Sequence, residues 1–468
     1  MGPGAEFRPG DQVNILMQQA NATALLSGHY HCPDDFASFS VMPDLSPMPD
    51  YFQFGPGITC YGQCSSGVSA SLRTGAIHDA RPHVRIHDGL VLLPFDPVQV
   101  VNNLRLERYT AKTASRSGKR ATRNVVQSLY YSVRPFMSVA VRKHLQNLYL
   151  RGWERIPFPS WPVDRTVENI FEQLLILGMD ARNIDRLPFI WFWPDGNRSC
   201  AMLTHDVETR AGADFCPQLM DLNDSFGIKS SFQLVPEGRY ALSPTFLENI
   251  RARGFEVNVH DLNHDGRLFS DRAEFLRRAE RIKRYAQEYG TLGFRSAVLY
   301  RNADWCDALS FCYDMSTPNV AHLDPQRGGC CTVFPFFIGN TLELPVTTTQ
   351  DYSLFHILKD YSIRLWKQQI ALIREKHGLI SFIIHPDYVI EHTARGVYTE
   401  LLEYLSELRA QGEIYTALPG EIAAWWKMRS EMKLVASGGS WQIAGKGSER
   451  ARVAYAVRVN DTLVYEMT

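Results

Sequence analysis

Four short stretches of this 468-residue chain carry side chains that could share one hydrolytic chemistry. In Leu203-Thr204-His205-Asp206-Val207-Glu208 two carboxylates stand one residue apart. At the end of a β-strand that spacing puts both on one face, and because two ionised acids repel, a bound cation is a natural reason to keep them together. A second stretch, Val259-His260-Asp261-Leu262-Asn263-His264, offers two imidazoles. Two imidazoles and one carboxylate with an open position suit Zn²⁺, and also Fe²⁺, Co²⁺ or Mn²⁺. With two acids present, one can bind the ion while the other serves as general base toward a water that the ion acidifies. Arg295, in Gly293-Phe294-Arg295, would orient the base carboxylate and keep it ionised. His385, followed by Pro386 and Asp387, would protonate a leaving amine. The competing reading makes His260 and His264 hydrogen-bonded structural histidines, Arg295 a surface or interdomain arginine and His385 a core histidine. From the residues alone, which acid is the ligand stays open.

The elements that must position these groups are legible as apolar runs at 201–204, 231–235, 255–259, 291–294 and 379–384. Helical patterns separate most of them. The clearest runs from Asp271 to Tyr289, with Ser270 as the expected N-cap, Phe275, Ala279, Ile282, Ala286 and Tyr289 along one face, and Gly290 as the stop. Another carries Leu401, Leu402, Leu405 and Leu408 before Gly412. Strands alternating with helices predict a mostly parallel sheet, open or closed into a barrel. Asp206 and Glu208, His260 and His264, Arg295, and His385 each follow one of the runs. Ligands of such sheets bind at the carboxyl ends of the strands, so the four stretches are expected on one rim.

In order and spacing, Thr204-His205-Asp206-Val207-Glu208, His260-Asp261-Leu262-Asn263-His264, Gly293-Phe294-Arg295 and the apolar strand ending in His385-Pro386 resemble the polysaccharide deacetylase family, carbohydrate esterase family 4. The resemblance covers residues 195 to 430 and matches the family's acid-x-acid variant. It implies a distorted (β/α) barrel of about seven strands that removes acetyl groups from sugars with one divalent metal, zinc first, with Co, Mn, Ni or Fe as alternatives. Carried over, it makes Asp206 the base, Glu208, His260 and His264 the metal ligands, Arg295 the holder of the base and His385 the general acid. Ala297 stands where the family's arginine motif usually has proline. The implied activity is N-deacetylation of a sugar or glycan precursor, with a carbohydrate as partner and a bacterial setting.

Composition sets the remaining bounds. Apolar residues make up 45% of the chain and charged residues 21%, an ordinary globular balance, and a net charge of −1 argues against a general nucleic-acid binder. No apolar stretch approaches the roughly 18 residues of a spanning helix. The nine scattered cysteines form no disulfide framework, which together with the absence of a signal-like start predicts a cytoplasmic protein, with homo-oligomerisation left open. The expected organisation is a loop-rich segment over 1–70, an α+β accessory domain over 71–194, the deacetylase-like domain over 195–432 and a β-hairpin segment over 433–468. Residues 83–101 read as β structure, and the terminal hairpin is expected around Asn460-Asp461. Arg105, Arg108, Lys112, Arg116, Lys119, Arg120 and Arg123 form a basic run, read as a solvated loop or as a contact for anions. Aromatic residues around Trp153 and Trp161, and again at Phe189, Trp191, Phe192 and Trp193, either pack between elements or stack on sugars. Two other functions compete: an iron oxygenase using His322-x-Asp324 or His385-x-Asp387, and a non-catalytic glycan-binding protein on the same scaffold.

Overall fold

A computed structural model describes residues 23–69, 72, 76–110, 148–460 and 462–467. Lys112, Arg116, Lys119, Arg120 and Arg123 of the basic run lie outside the described residues, as does Asp461 of the expected terminal turn. The chain divides into two compact units, one formed by 1–109, 165–196 and 427–468, the other by 110–164 and 197–426.

The second unit is a mixed α/β sheet curled into a partial barrel. Its strands are β1 (Cys200–Val207), β2 (Ser231–Leu234), β3 (Glu256–His260), β4 (Gly293–Arg295), β5 (Tyr313–Asp314), β6 (Phe336–Ile338), β7 (Thr341–Glu343), β8 (Leu379–Ile384) and β9 (Tyr415–Thr416). Along the sheet the order is β6-β7-β5-β4-β3-β2-β1-β8, with β9 also paired to β1. Every pairing in it is parallel except that of β6 with β7. β1 and β8 are buried at every position, as strands covered on both faces must be. The chain leaving β7 then crosses to β8. Thr348 N–H and Oγ1 both donate to the Ser381 carbonyl, at 3.3 and 2.7 Å, and Thr347 N–H donates to Ser381 Oγ at 2.9 Å. Side-chain hydroxyls thus join the two flanks of the sheet where regular pairing stops.

Helices α1 (Arg210–Ser225), α2 (Pro244–Ala252), α3 (Arg272–Tyr289), α4 (Arg364–Arg374) and α5 (His392–Ala410) connect the strands. For α3 the sequence expectation needs one correction: the N-cap is Asp271, whose Oδ1 accepts from Glu274 N–H at 2.9 Å, while Ser270 Oγ donates to the Arg267 carbonyl. A carboxylate there also favours the positive end of the helix dipole, which a hydroxyl does less well. The helix stops at Gly290, whose φ of +58° suits a residue without Cβ.

The first unit contains a three-stranded sheet of Ser38–Val41, Leu90–Leu93 and Arg85–His87, and a second of Arg186–Ile190, Val453–Val459 and Thr462–Met467. Within 83–101 the strands Arg85–His87 and Leu90–Leu93 are followed by a helix over Pro97–Arg105, capped by Asp96, because Pro97 at the first position supplies the right φ and needs no donor. Lys433–Ser437 and Ser440–Ala444 form a further hairpin, turning through Gly438 and Gly439 at φ +56° and +81°. Phe189, Trp191, Phe192 and Trp193 are all at most 1% exposed, which makes them packing residues and not a sugar platform. No helix among the described residues is long and apolar enough to cross a membrane.

Candidate active site

Asp206 is the next-to-last residue of β1, and Glu208 lies one residue beyond its end. His260 ends β3, Arg295 ends β4, and the two pair in parallel register. His264 sits in the loop after β3 at φ +57°, and His385 immediately follows β8. All six predicted residues therefore stand at the carboxyl ends of strands, and the distances bring them together.

Arg295, with no solvent exposure, donates from Nη1 to Asp206 Oδ1 at 2.9 Å and to Thr204 Oγ1 at 2.7 Å, and from Nε to the Met315 carbonyl at 3.0 Å. Burial pushes the Asp206 pKa up, but Arg295, and then His260 and His385, outweigh it and hold the carboxyl below its ordinary range. A buried acid next to a fixed guanidinium stays ionised.

Glu208 Oε1 lies 2.7 Å from His264 Nε2, 3.8 Å from His260 Nε2 and 3.4 Å from His385 Nε2. One donor atom from each of Glu208, His260 and His264 falls within 4.8 Å of the others, and among the described residues this is the one group of three potential ligands that close. His260 donates from Nδ1 to the Arg295 carbonyl at 3.1 Å, which leaves the Nε2 lone pair free to face the carboxylates. His260 Nε2 and His264 Nε2 are both buried, and neither has a hydrogen-bond partner. Two orphaned imidazole nitrogens beside a carboxylate fit a divalent cation. Arg239 Nη2 donates to the His264 carbonyl at 2.7 Å and approaches its Nδ1 at 3.2 Å. Ligation through Nε2 requires the ring proton on Nδ1, so it requires Arg239 to bond the carbonyl alone.

His385 reveals a residue that the sequence reading missed. Asp351 accepts from His385 Nδ1 at 2.6 Å and from its backbone N–H at 2.7 Å. Burial disfavours the imidazolium, yet Asp351 and Glu208 outweigh that and raise the His385 pKa well above the ordinary value. No apolar run leads into Asp351, which follows the polar stretch Thr347-Thr348-Thr349-Gln350. Among the described residues the His-x-Asp alternatives gather no third ligand. His385 Nδ1 is committed to Asp351, and His322 stacks on Trp161 with ring centroids 5.9 Å apart. The position of Ala297 opens a short turn in which Val298 and Leu299 adopt φ +58° and +53°, strained values for a β-branched and a γ-branched side chain.

Comparison with solved structures finds neighbours for about half of the chain. A candidate polysaccharide deacetylase from Mycobacterium smegmatis aligns at TM-score 0.42 and 18% identity, over 53% of this chain and 96% of its own. The neighbours are polysaccharide and peptidoglycan deacetylases, some of them family 4 pseudoenzymes. The peptidoglycan deacetylase PdaC from Bacillus subtilis aligns at TM-score 0.33 and 14% identity, over 50% and 94%. A mutant of BA3943, a family 4 pseudoenzyme with restored activity, aligns at 0.32 and 16%, over 48% and 68%. No protein-family model and no curated protein matches the chain.

Proposed function

We propose that the chain is a metal-dependent hydrolase that removes the acetyl group from an N-acetylated sugar or glycan precursor. The observation that carries the proposal is the meeting, on one strand-end rim, of an arginine-held carboxylate, a Glu-His-His group and an Asp-held imidazolium. Glu208, His260 and His264 would hold the divalent ion, with zinc the first choice for this nitrogen and oxygen donor set. When bound, the ion polarises the amide carbonyl and acidifies a water. Asp206, kept ionised by Arg295, removes a proton from the attacking water. His385, kept protonated by Asp351, donates to the departing sugar nitrogen. An amine leaves far more readily when protonated, so the two proton transfers need opposite protonation states in two neighbouring groups, and the two different partners supply them.

The test is acetate release by zinc-loaded protein from N-acetylated monosaccharides, oligosaccharides and nucleotide sugars. Release by the wild type and a loss of ~10²-fold or more in Asp206→Asn support the reading. A zinc-loaded protein that releases acetate from none of them overturns it and favours a glycan-binding scaffold.

A further inference from the structure

Pro236 and Gly238, the latter at φ +78°, turn the chain just past β2. The turn brings Arg239 and Tyr240 back toward the two strand ends that carry Glu208 and His264. Tyr240 Oη donates to the Val207 carbonyl at 2.6 Å and accepts from Val235 N–H at 3.0 Å. Val207 and Leu234 are register partners and end β1 and β2, so one phenol bridges the last residue of β1 and the first residue beyond β2. The Val207 carbonyl belongs to the planar peptide unit whose nitrogen is that of Glu208. Holding that carbonyl therefore fixes the plane from which the Glu208 side chain departs.

The same segment grips the other arm of the site. Glu237 N–H donates to the Leu262 carbonyl at 3.0 Å, and Arg239 Nη2 donates to the His264 carbonyl at 2.7 Å. The stretch they hold runs between the two histidines and is strained: Asp261 and His264 both stand at φ +57°, a value that residues with a Cβ adopt where their surroundings impose it. The Arg295 carbonyl imposes the start, accepting from Asp261 N–H at 2.8 Å and from His260 Nδ1 at 3.1 Å. Arg239 imposes the end. A half-buried tyrosine hydroxyl commonly finds a backbone partner, and loop stability alone would account for either side-chain bond taken singly. Loop stability does not require two adjacent side chains to take the carbonyls that flank two different candidate ligands, whose Oε1 and Nε2 atoms then stand 2.7 Å apart.

We propose that Arg239 and Tyr240 are positioning residues for the metal centre, Tyr240 setting the end of β1 so that Glu208 faces the two histidines while Asp206 stays with Arg295, and Arg239 setting His264 opposite Glu208. The proposal rests on the Glu-His-His reading of the metal site, and its readout is metal affinity, independent of acetate release. Zinc binding to the metal-stripped full chain is measured by competition with a chelator in wild type, Tyr240→Phe, Arg239→Ala and Tyr313→Phe. The Tyr313 hydroxyl bonds Glu256 and Asn258 at the opposite ends of the strands, so its removal deletes a buried hydroxyl away from the site. The zinc dissociation constant should rise ~10-fold in Tyr240→Phe and in Arg239→Ala and stay unchanged in Tyr313→Phe. The visible spectrum of bound Co²⁺ should shift in Tyr240→Phe and not in Tyr313→Phe. An unchanged or lower constant in Tyr240→Phe or, should that variant not fold, in Arg239→Ala overturns the positioning role while the Glu-His-His site stands. Equal losses in Tyr240→Phe and Tyr313→Phe overturn it as well, by reducing the effect to general stability. A wild type that binds no zinc overturns the metal reading and the positioning role together.

Discussion

Asp206 and His385 are asked to hold opposite protonation states, and their surroundings push each the required way. Asp206 is depressed below the ordinary carboxylate range, so it is ionised above its folded pKa and loses function as pH falls through it. His385 is raised, so it carries its proton below its folded pKa and loses function as pH rises through it. Activity should therefore form a plateau across neutral pH, with an acid limb below about 3.9 and an alkaline limb well above about 6.5. Stability follows the same signs. The Asp206–Arg295 pair contributes above the unfolded carboxylate pKa and fades as pH falls, whereas the His385–Asp351 pair contributes below the unfolded histidine pKa and fades as pH rises. Asp351→Asn removes the anion against Nδ1. Its expected signature is an alkaline limb moved toward acid by about one unit or more, with kcat reduced ~10²-fold, read from a pH–rate profile. A lower kcat with an unmoved limb would assign Asp351 a merely structural part. The six candidate residues were legible because each ends an apolar run; Asp351 was not, because its link to His385 arises only when the polar run Thr347-Thr348-Thr349-Gln350 packs against β8.

Among the elements, the long strands and α3 were legible, and the shortest strands were legible only in part, β2 and β4 but not β5 or β7. β1 and β8 show as continuous apolar runs, and α3 shows its amphipathic face and its glycine stop. β5 spans only Tyr313–Asp314 and β7 only Thr341–Glu343, too short for any periodicity to emerge. Both are held by their neighbours, with Tyr313 in register with Gly293 and with Leu342. That pairing also explains Gly293: a Cβ there would lie 2.3 Å from the Tyr313 ring and 2.5 Å from Asn258. Helix capping gives a direct test of the one-residue shift at α3. Asp271→Ala should lower stability by ~1 kcal/mol, because it removes the acceptor for Glu274 N–H, while Ser270→Ala should cost only a few tenths, since its hydroxyl bonds a loop carbonyl. Urea melts of the two variants separate these outcomes, and equal losses would count against Asp271 as the cap.

At the scale of the whole molecule, the Glu-His-His group and Arg295 tie three distant parts of the sequence to one another. Glu208 follows the last residue of β1, His260 ends β3, His264 belongs to the next loop, and Arg295, whose carbonyl accepts from His260 Nδ1, ends β4. A cation bound there interacts with the folded arrangement and not with the unfolded chain, where these residues are separated. Its binding free energy therefore adds to folding stability, by about 2.7 kcal/mol when the free ion is at 100 times its dissociation constant. Zinc titrated into metal-stripped protein should raise the melting temperature progressively, and the rise should be lost in His260→Ala and in His264→Ala. Asp206→Asn should keep it, because the proposed assignment makes Asp206 the base and Glu208 the ligand. This variant decides the order of the two acids that spacing alone left open. If Asp206→Asn abolishes the zinc-dependent rise while Glu208→Gln preserves it, the two carboxylates exchange roles. The geometry favours the order stated here: Arg295 already occupies Asp206 Oδ1, whereas Glu208 Oε1 faces three imidazole nitrogens.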